Sequence, residues 1–131
     1  MFPSVPLIGR EITKDDKFDK FELVEVEAAT IIIYMIHRDE KYFPDPEKFD
    51  PDRFLIENTK DRHPYAYIPF SAGRRNCVGQ KFAQYEEKIL LANLLRKFEI
   101  KSLKTTEEIQ PLVDLVTRPK NGIQIQLKLR V

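Results

Sequence analysis

The sequence predicts an α+β chain in which small β-sheets and a long structured coil lead into one long helix. Three stretches carry this expectation. QKFAQYEEKILLANLLRKFEI, which follows Gly79, is rich in strong helix formers and free of proline, and Leu91, Leu94, Leu95 and Phe98 recur at helical spacing. The run Ala28–Ile36 is apolar and rich in β-branched residues, so it reads as a buried strand. Near the end, IQIQLKL alternates apolar and polar residues, the pattern of a strand with one buried face.

In chain order, FPSVPLI holds two prolines and reads as extended chain. Asp15-Asp16 and Asp19-Lys20 read as turns. Phe21, Leu23 and Val26, with Glu22 and Glu25 between them, suggest an edge strand, and a strand over Thr30–Ile36 follows. HRDEKYFPDPEKFDPDRF carries three prolines and many acids. It reads as coil with one short helix before Phe43, and connections of that length usually have a functional or packing role. After the long helix, Leu112–Val116 and Ile123–Leu129 read as a hairpin about Asn121-Gly122.

A chain of 131 residues suits a single modest core. A net charge of +1 gives no bulk reason to expect a nucleic-acid partner. No apolar run reaches the ~18 residues that span a bilayer. The single cysteine excludes an intrachain disulfide and a zinc site built from several thiolates. Charge is uneven: fifteen acids face eight bases between Glu11 and Asp61, whereas seven bases face three acids between Arg74 and Lys101. The second segment is either an ordinary solvated surface or a basic docking face around the cysteine.

That cysteine lies in FSAGRRNCVG, residues 70–79. A core thiol is one reading, although Arg74, Arg75 and Asn76 precede it. A hydrolase nucleophile would need an imidazole, and only His37 and His63 are present. Both histidines read better as helix-entry or packing residues than as ligands. A phosphate loop fails, because Gly73 and Gly79 are one residue too far apart and Gln80 precedes Lys81. The fourth reading is a metal-bound thiolate. A helix starting near Gly79 places positive charge beside the sulfur, as do the two arginines. One thiolate can be the sole protein ligand of a haem iron. Gly73 would then let the loop turn back, and Gly79 would let the helix approach a flat macrocycle.

FSAGRRNCVG resembles the haem-binding signature of the cytochromes P-450, F-x-x-G-x-R-x-C-x-G, at every defined position. FDPDRF resembles the P-x-R-F element of that family's meander, and HRDEKYFPDPEKF the segment leading to it. FPSVPLIGR resembles the strand after the family's K helix. This run and RHPYAYIPFSAG are most similar to the fatty-acid-hydroxylating branch, family four.

The resemblance implies that residues 1–131 are the C-terminal part of a single mainly-α P-450 domain, with small β-sheets, meander, cysteine loop and the long proximal L helix. The E-x-x-R motif, the oxygen-activating helix and a membrane anchor would lie before Met1, so the chain alone should be inactive. The implied parent inserts one oxygen atom of O2 into an apolar substrate such as a fatty acid. It would use haem b and NADPH-derived electrons from a flavoprotein reductase, on the cytosolic face of the endoplasmic reticulum membrane. Cys77 would be the iron's axial ligand, Phe70 would lie beside the sulfur, and Arg75 and Arg10 would pair with the haem propionates. Arg53 resembles the meander arginine that pairs with E-x-x-R, and would here be left without partners. Val5, Pro6, Leu7, Leu115 and Val116 fall where substrate contacts lie in the family, and Arg74, Lys81 and Lys88 where a reductase docks. The competing readings are a non-catalytic haem-thiolate sensor and a truncated gene product without function of its own.

Overall fold

The computed structural model describes residues 2–130. They divide between Ser71 and Ala72 into two compact units. In the first, β1 (Ile8–Glu11) and β4 (Ala28–Ile31) form an antiparallel ladder running from Ile8↔Ile31 to Glu11↔Ala28. The chain between them folds into a hairpin of β2 (Asp16–Phe18) and β3 (Phe21–Leu23), turning at Asp19 and Lys20. Asp19 has φ 54°, a conformation that aspartate tolerates better than most residues. Asp16 was expected in a turn but begins a strand, because its partner Leu23 completes the ladder.

The neck of this hairpin is closed by Ile12 N–H donating to the Glu27 carbonyl (2.8 Å) and Val26 N–H donating to the Ile12 carbonyl (2.9 Å). Val26 consequently ends the expected edge strand in a left-handed conformation, φ 66°, with its side chain 86% exposed. A β-branched residue there is strained by about 1–2 kcal/mol and gains no burial in return. Val26→Gly is therefore expected to stabilise the chain by about 1 kcal/mol, read as a raised thermal midpoint. A lowered midpoint would contradict the strain.

The apolar run Ala28–Ile36 is not one strand. β4 ends at Ile31, and Ile33–Ile36 form the short helix α1. The reason lies in the opposite strand. Ile31 pairs with Ile8, and before Ile8 the chain carries Pro3 and Pro6, which have no N–H to extend the ladder. The N–H of Tyr34 donates instead to the Pro6 carbonyl at 3.0 Å, and Ile33 drops fully into the core. Phe43, Ala66 and Ile68 join Ile33 there, with two polar residues, His37 and Arg53. The short helix expected within the coil before Phe43 is absent, since α1 ends at Ile36, ahead of His37. Residues 39–43 form only a turn, closed by Phe43 N–H on the Asp39 carbonyl (2.9 Å). The rest of the coil runs through a 3-10 turn at Pro51–Phe54, the short helix α2 (Ile56–Thr59) and a second 3-10 turn at Pro64–Ala66.

The second unit opens with a 3-10 turn, Gly73–Arg75, and then the expected long helix α3 (Gln80–Lys97), with Gly79 at its N-cap. Arg96 and Lys97 in its last turn complement the helix dipole. β5 (Phe98–Ser102) follows directly. β6 (Pro111–Leu112) pairs with β7 (Arg118–Pro119) in a minimal ladder, and β8 (Ile125–Leu129) pairs with β5 from Phe98↔Leu129 to Ser102↔Ile125. The expected Leu112–Val116/Ile123–Leu129 hairpin is therefore absent. Pro111 faces Pro119, and neither can donate to a longer ladder, whereas β5 offers five residues of backbone to β8. Asn121-Gly122 still makes a turn, with Gly122 at φ 70°. Nor does β8 bury one face: all five of its residues are exposed.

Candidate functional site

The 70–79 segment is shaped by two residues in the left-handed region. Ser71, φ 64°, closes a tight turn in which its N–H donates to the Ile68 carbonyl at 3.0 Å. Phe70, within that turn, is half-buried. Gly73, φ 79°, opens the 3-10 turn that carries the exposed side chains of Arg74 and Arg75, and only glycine adopts this φ without strain. The turn ends where Asn76 N–H meets the Gly73 carbonyl (3.2 Å). Cys77 follows as a free, exposed thiol, which removes the core-thiol reading. A Cβ on Gly79 would come 3.9 Å from the sulfur, an ordinary contact, so nothing described within the chain itself demands glycine there.

In the first unit, Arg10 on β1 reaches this same segment. Its Nη2 donates to the Ser71 hydroxyl at 2.6 Å and its Nη1 to the Gly9 carbonyl at 2.7 Å. The first of these bonds was not foreseeable from the sequence, since the two residues are 61 positions apart. Behind the turn lies His37, 3% exposed, whose Nε2 accepts the Ile68 N–H at 3.0 Å. Its ring packs against Tyr67, with centroids 4.8 Å apart, and edgewise on Phe43. His37 is thus a packing residue, placed at the exit of α1 rather than at a helix entry. Burial, reinforced by cationic neighbours including Arg38, lowers its pKa from 6.5 to about 4.

The sign follows from proton counts. Between pH 6.5 and about 4 the unfolded chain takes a proton that native His37 refuses. Its stability contribution is therefore complete above pH 6.5 and is lost as pH falls through about 4. The loss is about 3 kcal/mol. Urea midpoints at neutral and acid pH should lie further apart for the native chain than for His37→Gln, which has no imidazole to protonate. Equal pH dependence in both would contradict it.

Arg53 overturns the expectation of an arginine without partners. It is 9% exposed, and its guanidinium donates to four backbone carbonyls. These are Asp50 from Nε (3.1 Å), Pro44 from Nη1 (3.0 Å), and Asp45 and Lys48 from Nη2 (3.2 and 3.1 Å). Arg62 in turn donates to the Arg53 carbonyl (2.8 Å) and lies over the Phe43 ring. The proline-rich coil therefore holds its own shape, organised around one cation. His63 stands outside this network, its Nδ1 accepting the Tyr65 N–H at 3.2 Å.

The remaining candidates scatter. Pro6 is buried and its carbonyl is used by α1, Val5 is half-buried, and Leu7 is exposed. Leu115 and Val116 are exposed in the loop between β6 and β7. Arg74, Lys81 and Lys88 are all exposed, and Lys81 and Lys88 lie two turns apart on one side of α3.

The donor chemistry narrows the class. Among the described residues, no group of three or more His, Cys, Asp or Glu side chains could hold a metal ion by itself. An accessible thiol between a left-handed glycine and a helix N-terminus, with no cysteine beside it, fits the single-thiolate ligand of a haem iron. The comparisons agree with this class. Residues 1–127 match the sequence model of the Cytochrome P450 family. "Cytochrome P450 4V2" of Rattus norvegicus is 53% identical over 130 residues, covering 99% of this chain and 25% of that protein. "Cytochrome P450 4c3" of Drosophila melanogaster is 44% identical over 99% of this chain and 24% of that protein. A solved structure described as "Retinoic acid bound cyanobacterial CYP120A1" superposes with a TM-score of 0.89 at 31% identity, over 98% of this chain and 30% of that one. The chain belongs to the cytochrome P450 family, and its relatives carry family-four names. It spans about a quarter of their length. The family implies a haem cofactor and electrons delivered by a redox partner.

Proposed function

We propose that the chain is the C-terminal, thiolate-bearing part of a P450 domain whose whole inserts one oxygen atom of O2 into an apolar substrate, a fatty acid being the class that fits best. The observation that carries this is the exposed Cys77 thiol inside an intact signature, between Gly73 at φ 79° and the start of α3. When bound, haem b supplies the oxygen chemistry, tuned by electron density from its thiolate ligand, as in P450s generally. The chain's own residues hold and orient the group. Cys77 would ligate the iron, Phe70 would tune the sulfur, and Gly79 would leave room for the ring. Arg75 and Arg10 would take the two carboxylates, a role supported at Arg10 by a guanidinium held in place through its bonds to Ser71 and Gly9. Val5, Leu7, Leu115 and Val116 contact the apolar substrate, while the buried Pro6 contributes through backbone placement. The site of action is the cytosolic face of the endoplasmic reticulum, as the family resemblance implies; no helix among the described residues is long and apolar enough to cross a membrane.

Residues 1–131 by themselves are proposed to bind haem without turning over a fatty acid. Support comes from α3, where Phe82, Tyr85 and Ile89 lie exposed along one side and Leu91 and Leu95 along another. Helices apolar on several sides are ordinarily enclosed. The test loads the chain with hemin and records the reduced carbon monoxide spectrum together with fatty-acid turnover in the presence of a reductase. The far-red-shifted Soret band without turnover is the expected result. Failure to give the band overturns the thiolate assignment, and turnover overturns the dependence on further chain.

Reductase docking is assigned to the exposed Arg74, Lys81 and Lys88. Steered encounter with an acidic partner weakens as salt rises. Reversal of Arg74 and Lys81 to glutamate should slow reduction of the full-length protein and flatten its salt dependence. Rates indifferent to both would remove the docking face.

A further inference from the structure

The Ile68–Ser71 turn sits at the junction of three hydrogen bonds that the signature pattern does not explain. The Ile68 N–H is held by buried His37, the Ile68 carbonyl accepts the Ser71 N–H, and the Ser71 hydroxyl accepts Arg10 Nη2 at 2.6 Å. Ser71 pays for its place with strain, since φ 64° is a position where glycine would be relaxed. Strained residues persist where the surroundings over-determine them, and they cluster at functional sites. Glycine in place of Ser71 would relieve the backbone but lose the hydroxyl that holds Arg10.

We infer that Ser71 and His37 are positioning residues for Arg10: the turn hangs on the imidazole at one end and fixes the guanidinium at the other. The inference rests on the reading of Arg10 as a carboxylate-binding residue. A half-buried arginine with two of its five donors committed, to Ser71 and Gly9, keeps three for an anion. Held by Ser71, it would not have to be ordered when the anion arrives, and that pre-organisation is the gain in affinity. His37 acts at one remove. Without its acceptor the Ile68 N–H is buried unpaired, the turn loosens, and Ser71 no longer holds Arg10 in one place.

The test titrates the chain with hemin and, in parallel, with hemin dimethyl ester, whose carboxylates are blocked. Ser71→Gly is the decisive variant, because relief of strain keeps or raises its melting temperature. It is expected to weaken hemin binding about fivefold, the size of one lost hydrogen bond, and to leave ester binding unchanged. Arg10→Leu should weaken hemin at least as much, and Ser71→Gly should add nothing in that background. His37→Phe should resemble Ser71→Gly, while His37→Gln, whose amide oxygen can accept from Ile68, should recover affinity. A haem-free readout is the exchange of the Arg10 guanidinium protons with water, which Ser71→Gly and His37→Phe should both accelerate. Should His37→Phe fail to fold, Ser71→Gly decides alone. Normal hemin affinity in Ser71→Gly, alongside a weakened Arg10→Leu, overturns the positioning role and leaves the carboxylate reading standing. Normal affinity in Arg10→Leu removes the carboxylate reading and the inference with it. Unchanged guanidinium exchange overturns the positioning role whatever the titrations give.

Discussion

Cys77→Ser is expected to abolish the far-red-shifted Soret band of the reduced carbon monoxide complex while leaving the fold intact. The two halves of this expectation have separate causes. Cys77 is exposed and unbridged, so exchanging sulfur for oxygen removes no packing, and the unfolding midpoint should move by no more than about 0.5 kcal/mol. A serine hydroxyl, by contrast, is not ionised near neutral pH and is a poor soft-donor substitute for a thiolate. The spectrum should revert to that of a haem with a neutral axial ligand. Arg75→Ala in the same experiment should keep the band, because it leaves the sulfur in place. A serine variant that retains the band would mean that the iron takes its ligand elsewhere.

Arg53→Leu is expected to destabilise the first unit by about 3–5 kcal/mol, a large part of the ~5–15 kcal/mol that holds a typical domain. The guanidinium binds four carbonyls, those of Pro44, Asp45, Lys48 and Asp50, of which Asp45 also accepts the Lys48 N–H at 2.9 Å. Leucine fills part of the volume and satisfies none of them. Each carbonyl left unpaired costs about 1–3 kcal/mol, less where water reaches it, and Asp45 keeps its bond from Lys48, which is why the total falls short of four full penalties. Arg53→Lys keeps the charge but not the planar fork, so it should recover only part of the loss. Denaturant midpoints of the three proteins test this order. A leucine variant as stable as the native chain would show that the coil does not depend on the cation.

Residues that act through neighbours in sequence were legible in advance. α3 follows from helix formers and the absence of proline, and the turn at Asp19-Lys20 from residues that accept unusual backbone angles. The cysteine loop is of the same kind: its glycine at φ 79° and its thiol lie four residues apart, so spacing alone describes them. The apolar run Ala28–Ile36 could not be divided in this way, because the place where β4 stops is set by prolines on the opposing strand. The pairing of β8 with β5 was hidden for a related reason. An alternating pattern states that a strand exists but not which backbone has donors free to meet it.

What the sequence by itself determined is the family, the long helix and the position of the one thiol, all of them consequences of local chemistry or fixed spacing. What only the tertiary structure decided is how the polar groups are satisfied. Arg53 found carbonyls in its own coil, His37 found an amide 31 residues away, and Arg10 found a hydroxyl 61 residues away. The physical reason is that a buried donor or acceptor must be paired, but any group brought within about 3 Å can do the pairing. Chain folding, not residue type, chooses which one arrives.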